Sequence, residues 1–238
     1  MSTQQQHTIH IFDEEISALR RLVISLGELT TKQLTQAQQS LPLLEKDIAV
    51  RVIAQEPEAD KLEHEIEELV VRELATRQPA AVDLREILAA LRIANELERV
   101  CDYAENIAER VTSLHGARID QVPLLLPLVR FAAEMIQDVM TAYASRDVSK
   151  AQEVWSRDER LDEMYSHFCR RLLATMTQGA TQIVNLTQVL LMARDIERIG
   201  DHATNIAVMV RFLLQGKLAE GERPKADFTR SIGGSPGE

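Results

Sequence analysis

The strongest constraint on this chain is that it repeats itself. The segment ELERVCDYAENIA, residues 96–108, returns 99 residues later as DIERIGDHATNIA, residues 195–207. Upstream, an offset of 102 aligns Leu22, Val23, Leu26 and Leu29 with Leu124, Leu125, Leu128 and Phe131. The same offset aligns Leu62, Ile66, Val70 and Leu74 with Met164, Phe168, Leu172 and Met176. The apolar steps of three and four residues are those of amphipathic helices. A repeat of this length is one multi-helix unit folded twice, and the change of offset from 102 to 99 places a turn three residues shorter in the second copy.

The helices follow from pattern and punctuation. The first unit reads as helices over about 12–41, 46–76 and 82–114, with Pro42 ending the first and Pro57 kinking or breaking the second. Arg77, Gln78, Pro79 and Ala80 turn the chain into the third helix, which stops before Gly116. The second unit reads as helices over 123–145, 148–178 and 181–215, with Gly179 and Gly216 marking ends. Only 4% of residues are aromatic, with nine Gly and seven Pro, a composition that favours helix over strand. The expectation is an all-α protein of two tandem three-helix bundles, over 8–116 and 120–216. A polar tail rich in Gly and Pro over 217–238 reads as mobile.

Along the third helix of each unit, acids recur at four-residue spacing. Glu98, Asp102 and Asn106 share one stripe, as do Glu197, Asp201 and Asn205, beside an apolar stripe that includes Leu97, Cys101 and Ala104. Like charges so placed cost about 0.2–0.5 kcal/mol on a solvated helix, and more when desolvated. A second pair stands on the preceding helix of each unit: Glu56 with Asp60, and Asp158 with Asp162 at offset 102. The pairs of the first unit centre on residues 58 and 100, whose midpoint is the turn at residue 79; those of the second centre on 160 and 199, whose midpoint falls beside Gly179. Residues equidistant from the turn of an antiparallel pair lie level, so four carboxylates should meet in each unit about 30 Å from its turn.

Oxygen-only clusters suit hard cations such as Mg²⁺ and Mn²⁺, while iron and zinc usually recruit imidazole or thiolate but can use carboxylates. Which of Mg, Mn, Fe or Zn is held stays open. Asn106 and Asn205 could add carbonyl oxygens or supporting hydrogen bonds. The competing reading is a solvated or Arg-paired acidic face. Arg99 and Arg198 follow the glutamates directly but point about 100° away from them. The Glu-x-x-His spacing of ferritin-like di-iron enzymes is missing: Lys61, Met164 and Ile199 stand three residues before His64, His167 and His202. No Gly-rich phosphate loop or nucleophile elbow occurs, and Cys101 and Cys169 have no metal-ligand spacing. Trp155, near the second acid cluster, reads as a core or interface anchor.

A formal charge of −10 argues against nonspecific nucleic-acid binding. The N-terminus lacks the basic and apolar regions of a signal peptide, so the expected location is cytoplasmic.

The paired ELERVCD and DIERIGD motifs, each followed by NIA, together with ATRQPAAVDLR at the first turn, closely resemble the PhoU family of phosphate-specific transport accessory proteins. The resemblance covers about residues 8–215. It implies two three-helix bundles, often dimeric, whose acid-x-x-x-Asp motifs bind metal ions or clusters. Those motifs fall on Glu56 with Asp60, Glu98 with Asp102, Asp158 with Asp162, and Glu197 with Asp201. It further implies a non-enzymatic negative regulator of phosphate uptake and starvation signalling, peripheral to the membrane, whose partners are the ATPase of the phosphate ABC transporter and a membrane sensor histidine kinase. The first unit departs from the motif in carrying Cys101 where the second has Gly200. A carboxylate-bridged metalloenzyme and a purely structural helical scaffold are the alternatives.

Overall fold

The computed structural model describes residues 3–76, 79, 81–178 and 182–216. The tail over 217–238 and the chain reversals at Gln78 and Gly179 lie outside the described residues. Among the described residues the chain is helical, in the order α1 (Thr3–Ser40), α2 (Lys46–Ile53), α3 (Glu56–Thr76), α4 (Ala81–Leu114), a 3₁₀ turn (Val122–Leu125), α5 (Leu126–Ser145), α6 (Val148–Ser156), α7 (Asp158–Gln178) and α8 (Ile183–Gln215).

The six rods read from the sequence are present, two of them divided. Between α2 and α3 the break comes just before Pro57, which sits in the first turn of α3, where its missing N–H deprives no helical hydrogen bond. The continuous helix expected over 148–178 is divided at Arg157, with no proline nearby. The break is met by a contact from outside the segment: Arg157 Nη1 donates to Asp138 Oδ2 on α5 at 2.7 Å. At the equivalent break of the first unit, Gln55 Nε2 donates to Gln36 Oε1 at 2.6 Å. Each unit therefore pins its break to its own first helix. The helix expected from Pro123 opens instead as a 3₁₀ turn, and α5 proper starts at Leu126 with Pro127 in its first turn. Gly216 closes α8 with φ 72°, its N–H donating to the Phe212 carbonyl at 2.8 Å.

The two units share one core. α1, α4, α5 and α8 pack together in the middle, α2 and α3 cover α1 and α4 on one side, and α6 and α7 cover α5 and α8 on the other. Leu26, Leu34, Ile93, Leu97, Met135 and Ile196 are fully buried there. The contact of α4 with α8 is the most extensive in the molecule and antiparallel, since Glu96 meets Asn205 and Arg110 meets Asp195. Where these helices cross, the rings of Tyr103 and His202 lie 5.5 Å apart. Those residues are equivalent under the duplication, so the pseudo-twofold axis runs between them.

The departure at Cys101 is resolved by a compensating change on the facing helix. A Cβ on Gly200 would collide with the Leu161 side chain. In the first unit the larger Cys101 is matched by Ala59 at the position of Leu161, and both are buried. The larger residue moves from one helix to the other: Leu161 on α7 fills the space over Gly200, and in the first unit Cys101 on α4 extends toward the smaller Ala59.

Candidate functional site

The first unit brings its two acid pairs together. α3 lies antiparallel on α4, and Asn95 donates to Glu63, two residues whose midpoint is residue 79. The same symmetry sets Asp60 opposite Glu98 and Glu56 opposite Asp102. Burial, then Asp102, Glu63 and Asp60, raises the Glu98 carboxyl to about 7, against the lowering effect of Arg99. Asp102 is raised as well, by burial first and by Asp60, although Arg99, a hydrogen bond with Glu98 and His202 act to lower it. Glu56 is raised by burial, by the charge of and a hydrogen bond with Asp60, and by Asp102.

A hydrogen bond between two carboxyl groups needs a proton on one of them. The hydrogen bonds joining Glu56 to Asp60 and Glu98 to Asp102 therefore favour proton uptake, in the same direction as burial and the neighbouring charges push Glu56 and Glu98. Arg99 is a weak counterion: it is 63% exposed and stands 3.7 Å from both Glu98 and Asp102. Two further acids join the cluster. Glu63 acts on Glu98, and Glu105 is raised by burial and by Glu56, Glu109, Asp102 and Asp60. Their signal was present in the sequence, because 56, 60, 63 and 98, 102, 105 continue the same helical stripes.

The second unit sets its acids on equivalent helices with different neighbours. Asp158, only 3% exposed, opens α7, and Asp162 follows one turn later. Glu197 and Asp201 lie partly buried on α8, which packs against α7. Burial, Cys169 and Glu197 push the Tyr165 phenol up, which sets Glu197 level with the turn of α7 just past Asp162. Tyr165 stands where the first unit has Glu63, and Thr204 stands where it has Glu105. The second cluster thus lacks two of the acids that crowd the first.

Asn205 reaches across to the other unit, and the Asn106 main chain is engaged beside a second such link. Asn205 Nδ2 donates to Glu96 Oε2 on α4 at 2.9 Å, and His202 Nδ1 meets the same oxygen at 2.6 Å. The Asn106 main-chain carbonyl accepts from Arg110 Nη1 at 2.8 Å, and that guanidinium also donates to Asp195 Oδ2 at 2.8 Å. Glu96 and Asp195 are equivalent under the duplication, so two related acids staple α4 to α8 on either side of the axis. No single-unit pattern shows this, because each bond joins the two units.

The donor set fits a cation that prefers oxygen. Burial pushes the Cys101 thiol up to about 12, so it offers no thiolate, and the His202 ring is held by Glu96. Among the described residues, no three His, Cys, Asp or Glu side chains are gathered closely enough to hold a metal ion as they stand. No helix among the described residues is long and apolar enough to cross a membrane.

Comparison with known proteins adds a family. A model of the PhoU domain matches residues 23–111 and 125–210, once in each unit. The chain is 40% identical over 228 residues to a phosphate-specific transport system accessory protein PhoU homolog of Zymomonas mobilis, covering 95% of this chain and 96% of that one. It is 37% identical over 229 residues to the homolog of Rhizobium meliloti, covering 95% and 97%. The crystal structure of PhoU from Pseudomonas aeruginosa superposes with TM-score 0.84 at 31% identity, covering 87% of this chain and all (100%) of that one. The phosphate transport system regulatory protein PhoU from Streptococcus pneumoniae superposes with TM-score 0.81 at 26% identity.

Proposed function

The chain belongs to the PhoU family, and from that premise we propose that it is a cytoplasmic, non-enzymatic regulator of phosphate uptake, one that joins the phosphate transporter to phosphate-starvation signalling. The observation that carries the chemical part of this reading is the meeting of Glu56 and Asp60 with Glu98 and Asp102 at one level of α3 and α4, with the exposed Arg99 a weak counterion. Such a site lowers its own repulsion by binding protons or a cation.

A divalent cation would supply there the positive charge that the exposed Arg99 supplies only weakly. Oxygen ligands suit Mg²⁺, Mn²⁺ or iron; zinc would bind without its usual imidazole or thiolate. In the first unit Glu56, Asp60, Glu98 and Asp102 would hold the ion, and in the second Asp158, Asp162, Glu197 and Asp201. Because each set spans two helices, its ligands couple the angle between those helices to cation occupancy. The partners in this reading are the ATPase subunit of the phosphate ABC transporter, a membrane sensor histidine kinase and a second copy of this chain. The chain acts negatively, holding the kinase silent while phosphate enters.

The test compares wild type with a variant carrying Glu98→Ala, Asp102→Ala, Glu197→Ala and Asp201→Ala. Metal content after loading with Mn²⁺ or Fe²⁺, the melting temperature with and without metal, and co-purification with the transporter ATPase and the kinase are measured. Loss of metal and of its stabilising effect in the variant is expected. Equal metal content in both proteins would defeat the ligand assignment, and undiminished capture of both partners would separate the metal from the adaptor role.

A further inference from the structure

A groove on the second unit has no counterpart in charge on the first. Two adjoining clefts of about 520 and 490 Å³ run along α5 and share Phe131, Glu134 and Arg160. They extend from Leu126 to Thr141, about 20 Å of helix. The groove is open because α5 touches α7 far less than α1 touches α3 in the first unit. One end is apolar, with Leu126, Pro127 and Met164; the other is polar, with Lys150 and Arg157.

Its charge is basic in a chain of net charge −10. Arg130, Lys150, Arg157 and Arg160 line it, with Glu134 and Asp138 as the acids. The duplication supplies an internal comparison on the same backbone. At offset 102 the four cations correspond to Glu28, Ile48, Gln55 and Glu58, and the two acids to Lys32 and Gln36. Two carboxylates and one cation in the first unit thus stand against four cations and two carboxylates in the second.

The cations differ in availability. Arg130 is paired with Glu134 at 3.0 Å, while Lys150 and Arg157 share Asp138 at 2.9 and 2.7 Å. Arg160 sits between the two clefts with its guanidinium 5.2 Å from the centroid of the Phe131 ring. Stacking there orders the guanidinium and leaves its N–H edge for a planar anion. A small inorganic anion would have to compete with Glu134 and Asp138 for the flanking cations, and it would leave the apolar end unused. A flat anionic membrane does not fill a concave cleft and is repelled by the chain as a whole.

We propose that the groove along α5 and α7 docks an acidic segment of a partner protein, with a carboxylate on Arg160 and an apolar side chain beside Leu126, Pro127 and Met164. The aromatic-stacked Arg between an apolar pocket and a polar rim is the usual composition of an interface anchor. This inference depends on neither the metal nor phosphate signalling, and its test uses neither.

The full chain is used to select from a random peptide library of about a dozen residues, with counter-selection on Arg160→Glu. Selected peptides should carry two or more Asp or Glu beside a Leu, Ile or Phe. A synthetic peptide of that sequence should lose about tenfold or more in affinity to Arg160→Glu and to Phe131→Ala, and stay unchanged on Glu58→Arg in the first unit. Arg160 is exposed, so its variants should keep the wild-type melting temperature, which is checked. Selection of peptides without acid enrichment overturns the proposal, as does equal binding to Arg160→Glu. Binding of inorganic phosphate or of phosphatidylglycerol vesicles that is lost in Arg160→Glu, with no peptide selected, overturns it in favour of a small-anion or membrane site.

Discussion

Replacing Glu98 with Gln in the metal-free protein should stabilise it, and by an amount set by pH. The native carboxyl is raised from 4.5 to about 7, chiefly by burial and then by Asp102, Glu63 and Asp60. Below pH 4.5 it is protonated in both folded and unfolded chains and contributes nothing. Between 4.5 and about 7 the unfolded chain has released its proton and the native state has not. The native state then binds more protons, so stability falls as pH rises, and the deficit is complete above about 7. At about 1.4 kcal/mol per pK unit, the ceiling is about 3 kcal/mol.

The amide removes this titration, keeps the shape and can still donate to Asp102. Glu98→Gln should therefore gain about 1–3 kcal/mol at pH 8, or roughly 3–10 °C in melting temperature for a chain of this length. At pH 4.5 it should gain nothing. Urea unfolding of EDTA-dialysed wild type and variant, followed by circular dichroism across that range, reads both. A variant less stable than wild type at pH 8, or a gain that is the same at both pH values, would refute the claim that the first cluster is electrostatically strained.

Three further outcomes are expected. Gly200→Ala should cost about 1–3 kcal/mol through its collision with Leu161. Combined with Leu161→Ala, the loss should be smaller than the sum of the single losses; a strictly additive cycle in chemical unfolding would sink the compensation argument. Glu86 is 5% exposed and receives Arg20 at 2.9 Å and Arg146 at 2.6 Å, so Glu86→Ala should cost about 3 kcal/mol by leaving two cations unpaired across the α1, α4 and α5 junction. The Asp195 carboxyl, raised to about 6 by burial against the lowering effects of Arg110, Arg194 and Arg198, should move higher still in Arg110→Met. A carbon-detected NMR titration of Asp195 follows this, and an unchanged or lower midpoint would show that Arg110 does not stabilise the charge.

Much of this was legible because the governing interactions are local or periodic. The six rods follow from apolar steps of three and four, and the meeting of Glu56 and Asp60 with Glu98 and Asp102 follows from counting outward from one turn. What was not legible depends on neighbours far along the chain. The division at Arg157 carries no proline and is held by Asp138, 19 residues away. The stapling of α4 to α8 by Glu96 and Asp195 spans more than 80 residues in each case, 109 to Asn205 and 85 from Arg110, and appears only when the two units are packed. The exchange of Cys101 and Ala59 for Gly200 and Leu161 was half visible: the repeat exposed the Gly, but only packing names the residue that fills its space.

Duplication fixes the backbone of the two units more firmly than their chemistry. The crossing of Tyr103 and His202 at the axis and the twin staples on either side show how closely the halves superimpose. Yet Glu63 and Glu105 of the first unit face Tyr165 and Thr204 of the second, while the cations along α5 and α7 face glutamates on α1 and α3. Although Glu134 and Asp138 oppose the trend against Lys32 and Gln36, the sum of these differences leaves the first unit more acidic and the second less so. A symmetric frame with two unlike ends can engage two unlike partners without steric conflict between them. Because α4 and α8 are the inner walls of both acid clusters and are stapled to each other, a change of angle at one cluster has a packed route to the other. The pseudo-symmetry thus supplies the mechanical connection, and the departures from it supply the distinction between the ends.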